Sequence, residues 1–304
     1  MAKVSFIDQG SALSACFIAR DYKPLAERIA KEKEKITCYI ERDGVIAGYQ
    51  VASNHPLTEL FESPFFAVRF LFAGIDTMHG EEQEKILVEL FTSLKEYMDS
   101  HKGYYNLRIP SHIVDAIKAY NQVMSGGWFC GGTVEELISG KQVELRMKEG
   151  LSVFWADQAY VDRHKDLLLE MTLESFRTYQ GQYHISPATQ DKAGIIYENW
   201  IRQSLDNCRE HTVMVAQYED RPIGFVTVEE SETAVDGILS AVDNTYRQYG
   251  AYRAMITSIV NYAHEKQKAF ITSTQFDNFI VQGVWNSIGL KPYYSIYNFH
   301  IDKR

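Results

Sequence analysis

The stretch "ILSAVDNTYRQYGAYRAM", residues 238–255, runs from an apolar segment into the start of a helix-patterned one. Within it, "YRQYGAY" (246–252) sets Arg247 three residues ahead of Gly250. A strand that passes through a short loop into a helix leaves the helix's first backbone N–H groups free at the edge of a sheet, where the dipole favours an anion. Gly250 allows positive φ or close approach of a ligand, and Arg247 has the chemistry of a charge-assisted phosphate contact. R-x-x-G alone also describes an ordinary strand-to-helix turn, so spacing leaves both readings open.

Outward from this loop, "TVMVAQYEDRPIGFVTVEE" (212–230) reads as a hairpin turning at "EDRP", and "AVDGILSAV" (234–242) as a buried strand. A long helix follows over 253–268, then the strand "FITSTQ", the helix "NFIVQGVWNSIG" and the closing strand "YYSIYNFHI". Upstream, helices are expected over 166–178 and in "YENWIRQSL" (197–205).

The first half carries the same order. A charged amphipathic helix spans 23–35, and 37–53 is a hairpin turning at "ERDG". "FFAVRFLFAG" (65–74) is a buried strand, and Ile86, Leu87, Leu90, Phe91, Leu94 and Met98 keep the spacing of one helical face. "GYYNLRI" is a further strand, and "SHIVDAIKAYNQVM" a further helix begun by a Ser cap. The two hairpins align with Gly48 and Gly224 at equivalent places. The expected organisation is two copies of one α/β unit, 1–145 and 146–304, joined near 139–152. In the first copy the loop position reads "GIDTMHGEEQEK" (74–85), where Glu81, Glu82 and Glu84 would repel a pyrophosphate.

Composition narrows the classes. The chain has 304 residues, 45% hydrophobic and 23% charged, which suits folded domains rather than disorder. A net charge of −9 argues against nucleic acid as main partner, since that affinity needs a basic face. No run approaches the roughly 18 apolar residues of a membrane helix, and "ALSACFIA" (12–19) makes a poor signal peptide. The expected location is the cytoplasm. Cys16, Cys38, Cys130 and Cys208 form no C-x-x-C pair, and no histidine pattern has metal-ligand spacing, so no metal site is expected.

Several separated segments together resemble the GNAT superfamily of acyl-CoA-dependent N-acetyltransferases. The pattern is strand, R/Q-x-x-G-x-G/A, helix, strand, then N-x-x-(V/A)-x-x-x-(Y/W)-x-x-x-G. It is met by residues 238–255 and by "DNFIVQGVWNSIGL", with Asn278, Val281, Trp285 and Gly289 in step. Two positions depart from it: Tyr252 replaces Gly or Ala, and Trp285 stands where many members carry a Tyr that protonates the leaving thiolate. Both departures, with "YENWIRQSL" and the terminal "YNFH" (297–300), are similar to the nucleotide-sugar amine N-acetyltransferases of the dTDP-fucosamine type. The resemblance covers about residues 155–302.

The resemblance implies an α+β protein of tandem GNAT-like domains, each a mixed central sheet flanked by helices, the first a degenerate copy without a cofactor site. It implies acetyl-CoA as co-substrate, a small primary amine as acceptor, and a nucleotide-linked amino sugar as the acceptor class. The amides of Gln248, Tyr249, Gly250, Ala251 and Tyr252, with Arg247, would hold the pyrophosphate. The strand edge at Leu239, Ala241 and Val242 would pair with the pantetheine arm, and Asn278 and Trp285 would flank the thioester. Other readings of the same cleft are a non-catalytic acyl-CoA-binding module and acetylation of an amino acid, peptide or antibiotic. The apolar edges of such domains often pair, so a homodimer is compatible with the resemblance.

Amine acetylation needs a neutral amine, a donor for the oxyanion and a proton for the thiolate. A backbone N–H of 239–242, Ser240 among them, is the candidate oxyanion donor. His300 has a suitable pKa for a base, and Tyr294 shares its parity on the last strand. A structural histidine is the competing reading. Asp236 and Glu229 are weaker candidates, expected to be solvated at strand ends. Arg177, Tyr179, Gln182 and His184, on "SFRTYQGQYHISP" (175–187), either meet the acceptor or belong to a loop packed by its own aromatics.

Overall fold

Alternating β-branched and aromatic runs become strands, and the segments with three-or-four apolar spacing become helices. The computed structural model describes residues 16–19, 37–53, 57–75, 78, 80–177, 179 and 181–304. The helix expected over 23–35 lies outside the described residues. The chain divides into two compact units, Met1–Thr133 with Ile185–Ala188 and Ser295–Arg304, and Val134–His184 with Thr189–Tyr294.

The first unit contains β1 (Cys16–Ala19), β2 (Cys38–Arg42), β3 (Val45–Ala52), α1 (Leu57–Phe61), β4 (Phe65–Ala73), α2 (Glu81–Ser100), β5 (Tyr104–Pro110) and α3 (Val114–Val123). β6 (Gly127–Ile138) begins in this unit and enters the second at Val134. The β2–β3 hairpin turns on Asp43 and Gly44, both at positive φ, with Arg42 opposite Val45. β3 lies antiparallel to β4, and β4 parallel to β5. The apolar buried face of α2 is Ile86, Leu87, Leu90, Phe91, Leu94 and Met98, as the spacing predicts, and Gln83 is buried with them, its amide donating to the Ile75 carbonyl at 2.6 Å. Ser111 does not cap α3, whose N-cap is Ile113. Its hydroxyl is engaged instead by that of Ser295.

The second unit contains β7 (Leu151–Trp155), α4 (Gln158–Arg177), α5 (Gln182–Ile185), α6 (Ala193–Asp206), β8 (Val213–Tyr218), β9 (Arg221–Glu230), β10 (Ala234–Val242), α7 (Ala251–Glu265), β11 (Ala269–Gln275), α8 (Phe279–Ile288) and the start of β12 (Lys291–Asp302), which enters the first unit at Ser295. α4 starts eight residues before the expected 166, and β7 begins inside the segment read as linker. The rest of that segment is pinned on α7, where the Asn261 amide donates to the Val143 carbonyl at 2.9 Å and accepts from its N–H at 2.8 Å.

β7, β8, β9 and β10 pair antiparallel in that order, and β10 pairs parallel with β11. The series β8 to β11 therefore repeats the pairing senses of β2 to β5. Successive residues of β8 face opposite cores: Met214 and Ala216 pack with α7 and α8, Val213 and Val215 with α4 and α6. From Ser295 the chain belongs to the first unit, where β12 runs antiparallel to β5 from Ile296 opposite Pro110 to Asp302 opposite Tyr104. The two compact units interleave along the chain, with β6 and β12 each passing from one to the other. The molecule is α+β, with mixed sheet and helices, and its two halves follow one plan.

Candidate active site

The second unit's sheet opens where β10 and β11 part. Their parallel pairing runs from Ala234 opposite Ala269 to Gly237 opposite Thr272 and stops there. β10 continues to Val242 and β11 to Gln275. At the branch point Thr272 Oγ1 donates to the Gly237 carbonyl at 3.1 Å. A Cβ on Gly237 would lie 3.2 Å from the Phe270 ring and 3.3 Å from Thr272 Oγ1, tighter than ordinary contact.

Two hydrogen bonds fix which backbone groups look into the gap. β10 shifts register against β9 between Gly237 and Ser240, and the Leu239 N–H donates to Thr227 Oγ1 at 3.1 Å on the β9 side. The Asp243 N–H donates to the Ile223 carbonyl at 2.9 Å, again towards β9. Because backbone groups alternate along a strand, Leu239 and Ala241 turn theirs to β9. Ser240 and Val242 turn theirs to the gap. Of the strand residues named from the sequence, Ser240 and Val242 present the free edge, and Leu239 and Ala241 do not.

Beyond β10, residues Asn244–Tyr249 form a 3₁₀ segment opened by Asp243, whose carboxylate accepts from the Thr245 N–H at 2.9 Å. Arg221 pairs with the same carboxylate at 3.3 Å. Gly250 then adopts φ 75°, and α7 begins at Ala251 with no capping side chain. The Ala254 N–H already bonds the Gly250 carbonyl at 3.0 Å. The N–H groups of Ala251, Tyr252 and Arg253 precede the first intrahelical bond and form the helix's positive end. Arg247 and Gln248 are exposed beside them. Tyr249 packs edge-on to Tyr218 at 4.9 Å and Tyr246 at 5.2 Å. Lys148 Nζ lies 3.7 Å from the Tyr249 ring centre, adding a cation to the loop.

Tyr252 and Trp285 meet. Trp285, 1% exposed, donates its indole N–H to the Tyr252 hydroxyl at 2.9 Å, and Ser240 bonds the same hydroxyl. Burial pushes the Tyr252 phenol above its ordinary range, more than these two bonds pull it down, so it remains protonated at neutral pH. The side chain that departs from the loop pattern thus sits beside the indole that departs from the α8 pattern.

Asn278 holds the far end of the gap in shape. Its amide donates to Thr274 Oγ1 at 2.9 Å, and Gln282 Nε2 donates to the carbonyls of Gln275 at 3.1 Å and Phe276 at 2.9 Å. The Tyr179 hydroxyl bonds Gln275 and Thr274, and burial pushes its phenol up to about 12. Around it, Phe176 and His184 stack on Tyr197 at 4.4 and 5.4 Å. The segment 175–187 is therefore packed by its own aromatics at one edge of the gap. Burial lowers the His184 imidazole, and its Nδ1 has no hydrogen-bond partner among the described residues.

Tyr294 is half-buried in the second unit, whereas His300 belongs to the first. There His300 lies opposite Asn106, its ring edge-on to Phe65 at 6.5 Å. Asp236 is not solvated: it is 1% exposed, because β10 is paired on both sides at that point. Glu229, its partner across the strands, is exposed. Sequence reasoning missed Lys148, hidden in an apparent linker, and Thr227, whose hydroxyl sets the strand irregularity. It also missed Glu136 on β6. Only the folding of distant segments brings Lys148 to the loop, Thr227 to the β10 backbone and Glu136 within electrostatic reach of Tyr252.

No protein-family model matches the sequence, and no curated protein matches it. Among solved structures, the fold is similar to a GCN5-related N-acetyltransferase from Sphaerobacter thermophilus, at TM-score 0.58 and 10% identity, covering 94% of this chain and 90% of that one. It is also similar to a GNAT-family acetyltransferase from Colwellia psychrerythraea, at TM-score 0.53 and 9% identity, over 92% and 97%. A tandem GNAT protein from the clavulanic acid biosynthesis pathway matches at TM-score 0.50 and 10% identity, over 87% and 81%. The fold is thus that of GNAT proteins over most of the chain, including a tandem one.

Proposed function

We propose that the second unit is an acetyl-CoA-dependent N-acetyltransferase acting on a primary amine. One observation carries the reading: the β10 edge at Ser240 and Val242 is free where β10 leaves β11, and it leads directly to the uncapped N-terminus of α7. An extended amide-bearing arm can pair with such an edge while its pyrophosphate meets the helix end. The shared fold supports the same class of donor.

On this reading the N–H groups of Ala251, Tyr252 and Arg253, with Arg247, hold the pyrophosphate. Val242 pairs with the pantetheine arm, and the Ser240 N–H stabilises the oxyanion. Tyr252, kept protonated by burial, gives its proton to the departing thiolate. The indole of Trp285 fixes its oxygen. The acceptor is proposed to be an amino sugar on a nucleotide, supported by the resemblance in "YENWIRQSL", the Tyr252 loop, Trp285 and "YNFH".

The first unit is proposed to lack an acyl-CoA site. There β4 parts from β5 after Arg69 opposite Arg108, but Phe70–Ala73 then pairs with β1, which takes up the free edge. The first turn of α2 carries Glu81, Glu82 and Glu84. Titration calorimetry of the full chain with acetyl-CoA tests both statements. Heat fitting one site per chain is expected; none at millimolar ligand overturns the reading, and two sites overturn the part concerning the first unit. Thiol release with a panel of amines then separates an enzyme from a module that only binds.

A further inference from the structure

Glu136 lies on β6, within the part of that strand that belongs to the second unit. Ile138, two residues on, packs in the core cluster with Trp285, Ile288 and the buried face of α7. Side chains alternate along a strand, so Glu136 shares that face. Val242 packs on the same cluster, which places Ser240 on this face too, and Tyr252 packs there from the first turn of α7. Four side chains from two strands and two helices, Glu136 on β6, Ser240 on β10, Tyr252 on α7 and Trp285 on α8, therefore occupy one side of the opened sheet.

Among them Glu136 is the anomaly. It is 0% exposed, and neither carboxylate oxygen has a hydrogen-bond partner among the described residues. A buried carboxylate in that state is costly, and a glutamine or leucine would serve a purely structural role better. Such groups are expected where a ligand completes them. The ionisable groups acting on it are Lys291 on β12, which favours its charge, and Tyr252 on α7. Burial outweighs Lys291 and raises its carboxyl above the ordinary value.

We propose that Glu136 is the base that takes a proton from the acceptor's ammonium, on the face where Tyr252 serves the leaving thiol. The proposal rests on the acetyl-transfer reading above. The carboxylate accepts one ammonium proton, and the freed amine attacks the thioester carbonyl to form the C–N bond. The C–S bond breaks with its electron pair on sulfur, which takes the Tyr252 proton. The nitrogen's second proton restores the phenol, and Glu136 releases its own to solvent. The net products are an amide, a thiol and one proton. A cationic amine is the acceptor class such a site selects, since its charge meets the carboxylate.

The test is E136Q and E136D in the full chain, assayed for thiol release with acetyl-CoA and a panel comprising an amino sugar, an amino-acid amide and a polyamine. E136Q is expected to lower kcat on the order of 100-fold or more, with acetyl-CoA affinity within about threefold of the parent and unfolding temperature unchanged or higher. The acid limb of the kcat–pH profile should vanish in E136Q and return, displaced, in E136D. Retained turnover with an unchanged acid limb overturns the proposal. So does loss of acetyl-CoA binding or of the fold in E136Q, which would mark a structural role. A parent chain that binds acetyl-CoA but acetylates no amine of the panel also overturns it. A parent that fails to bind acetyl-CoA instead overturns the reading beneath it.

Discussion

Tyr252 shows how one residue can be misjudged from its neighbours in sequence. In the loop pattern it occupies the place of a small residue, yet its hydroxyl completes the buried indole of Trp285 at 2.9 Å. Tyr252→Phe should therefore leave that N–H without an acceptor and cost about 1–3 kcal/mol of stability, read by denaturant unfolding, while lowering turnover more than acetyl-CoA affinity. Gly250 was legible as a turn residue, and its φ of 75° is the reason. Gly250→Ala meets no steric neighbour, so its expected cost is the left-handed backbone alone, about 1–2 kcal/mol. A much larger loss of stability would contradict that account. His300 could not be placed by parity: its position on β12 was readable, but the unit that β12 completes was not.

At the scale of elements, helical periodicity foretold the apolar buried residues of α2, because one stripe must meet a core, but not the buried Gln83. Element ends were less readable. α4 begins with "QAYVDRH", too polar to show a stripe, and Ser111 looked like a cap until Ser295 engaged it. The free edge of β10 depends on a threonine in the neighbouring strand, which no pattern in β10 reveals. Thr227 is 3% exposed and takes the Leu239 N–H. Thr227→Val should strand that donor, costing about 1–3 kcal/mol, and weaken acetyl-CoA binding in calorimetry by disturbing the Ser240 register. Binding unchanged in a destabilised variant would show that the irregularity does not shape the site.

At the scale of the molecule, the last residues of the chain belong to its first unit. Truncation after Tyr294 removes the strand that pairs with Tyr104–Pro110, so limited proteolysis should then attack the first unit before the second. Equal resistance would contradict the division. The same terminus carries a pH signature. Asp99 bridges Lys303 and Lys95, and the Lys303 contact, then that of Lys95, holds its carboxyl down at about 2. A folded pKa below the unfolded one adds stability that is full above the ordinary carboxylate range and is lost as pH falls through about 2. Asp99→Asn should flatten the unfolding-temperature slope in that acid window by lowering the unfolding temperature at neutral pH, modestly because the group is exposed, with the difference vanishing below about pH 2.

Local sequence determined the α+β composition, the repeated order of elements and the loop between β10 and α7, because propensity, turn chemistry and apolar period are set by near neighbours. The paired hairpins, each turning at two positive-φ residues, Asp43 with Gly44 and Glu219 with Asp220, follow from the same short-range rules. Only the tertiary structure decided which strand completes which unit, which amides of β10 face the gap, and that Glu136 lies buried, without a hydrogen-bond partner among the described residues, where its charge acts on Tyr252. Those outcomes depend on strand pairing between residues far apart in the chain, where hydrogen bonding and burial choose the partner and no local pattern records the choice.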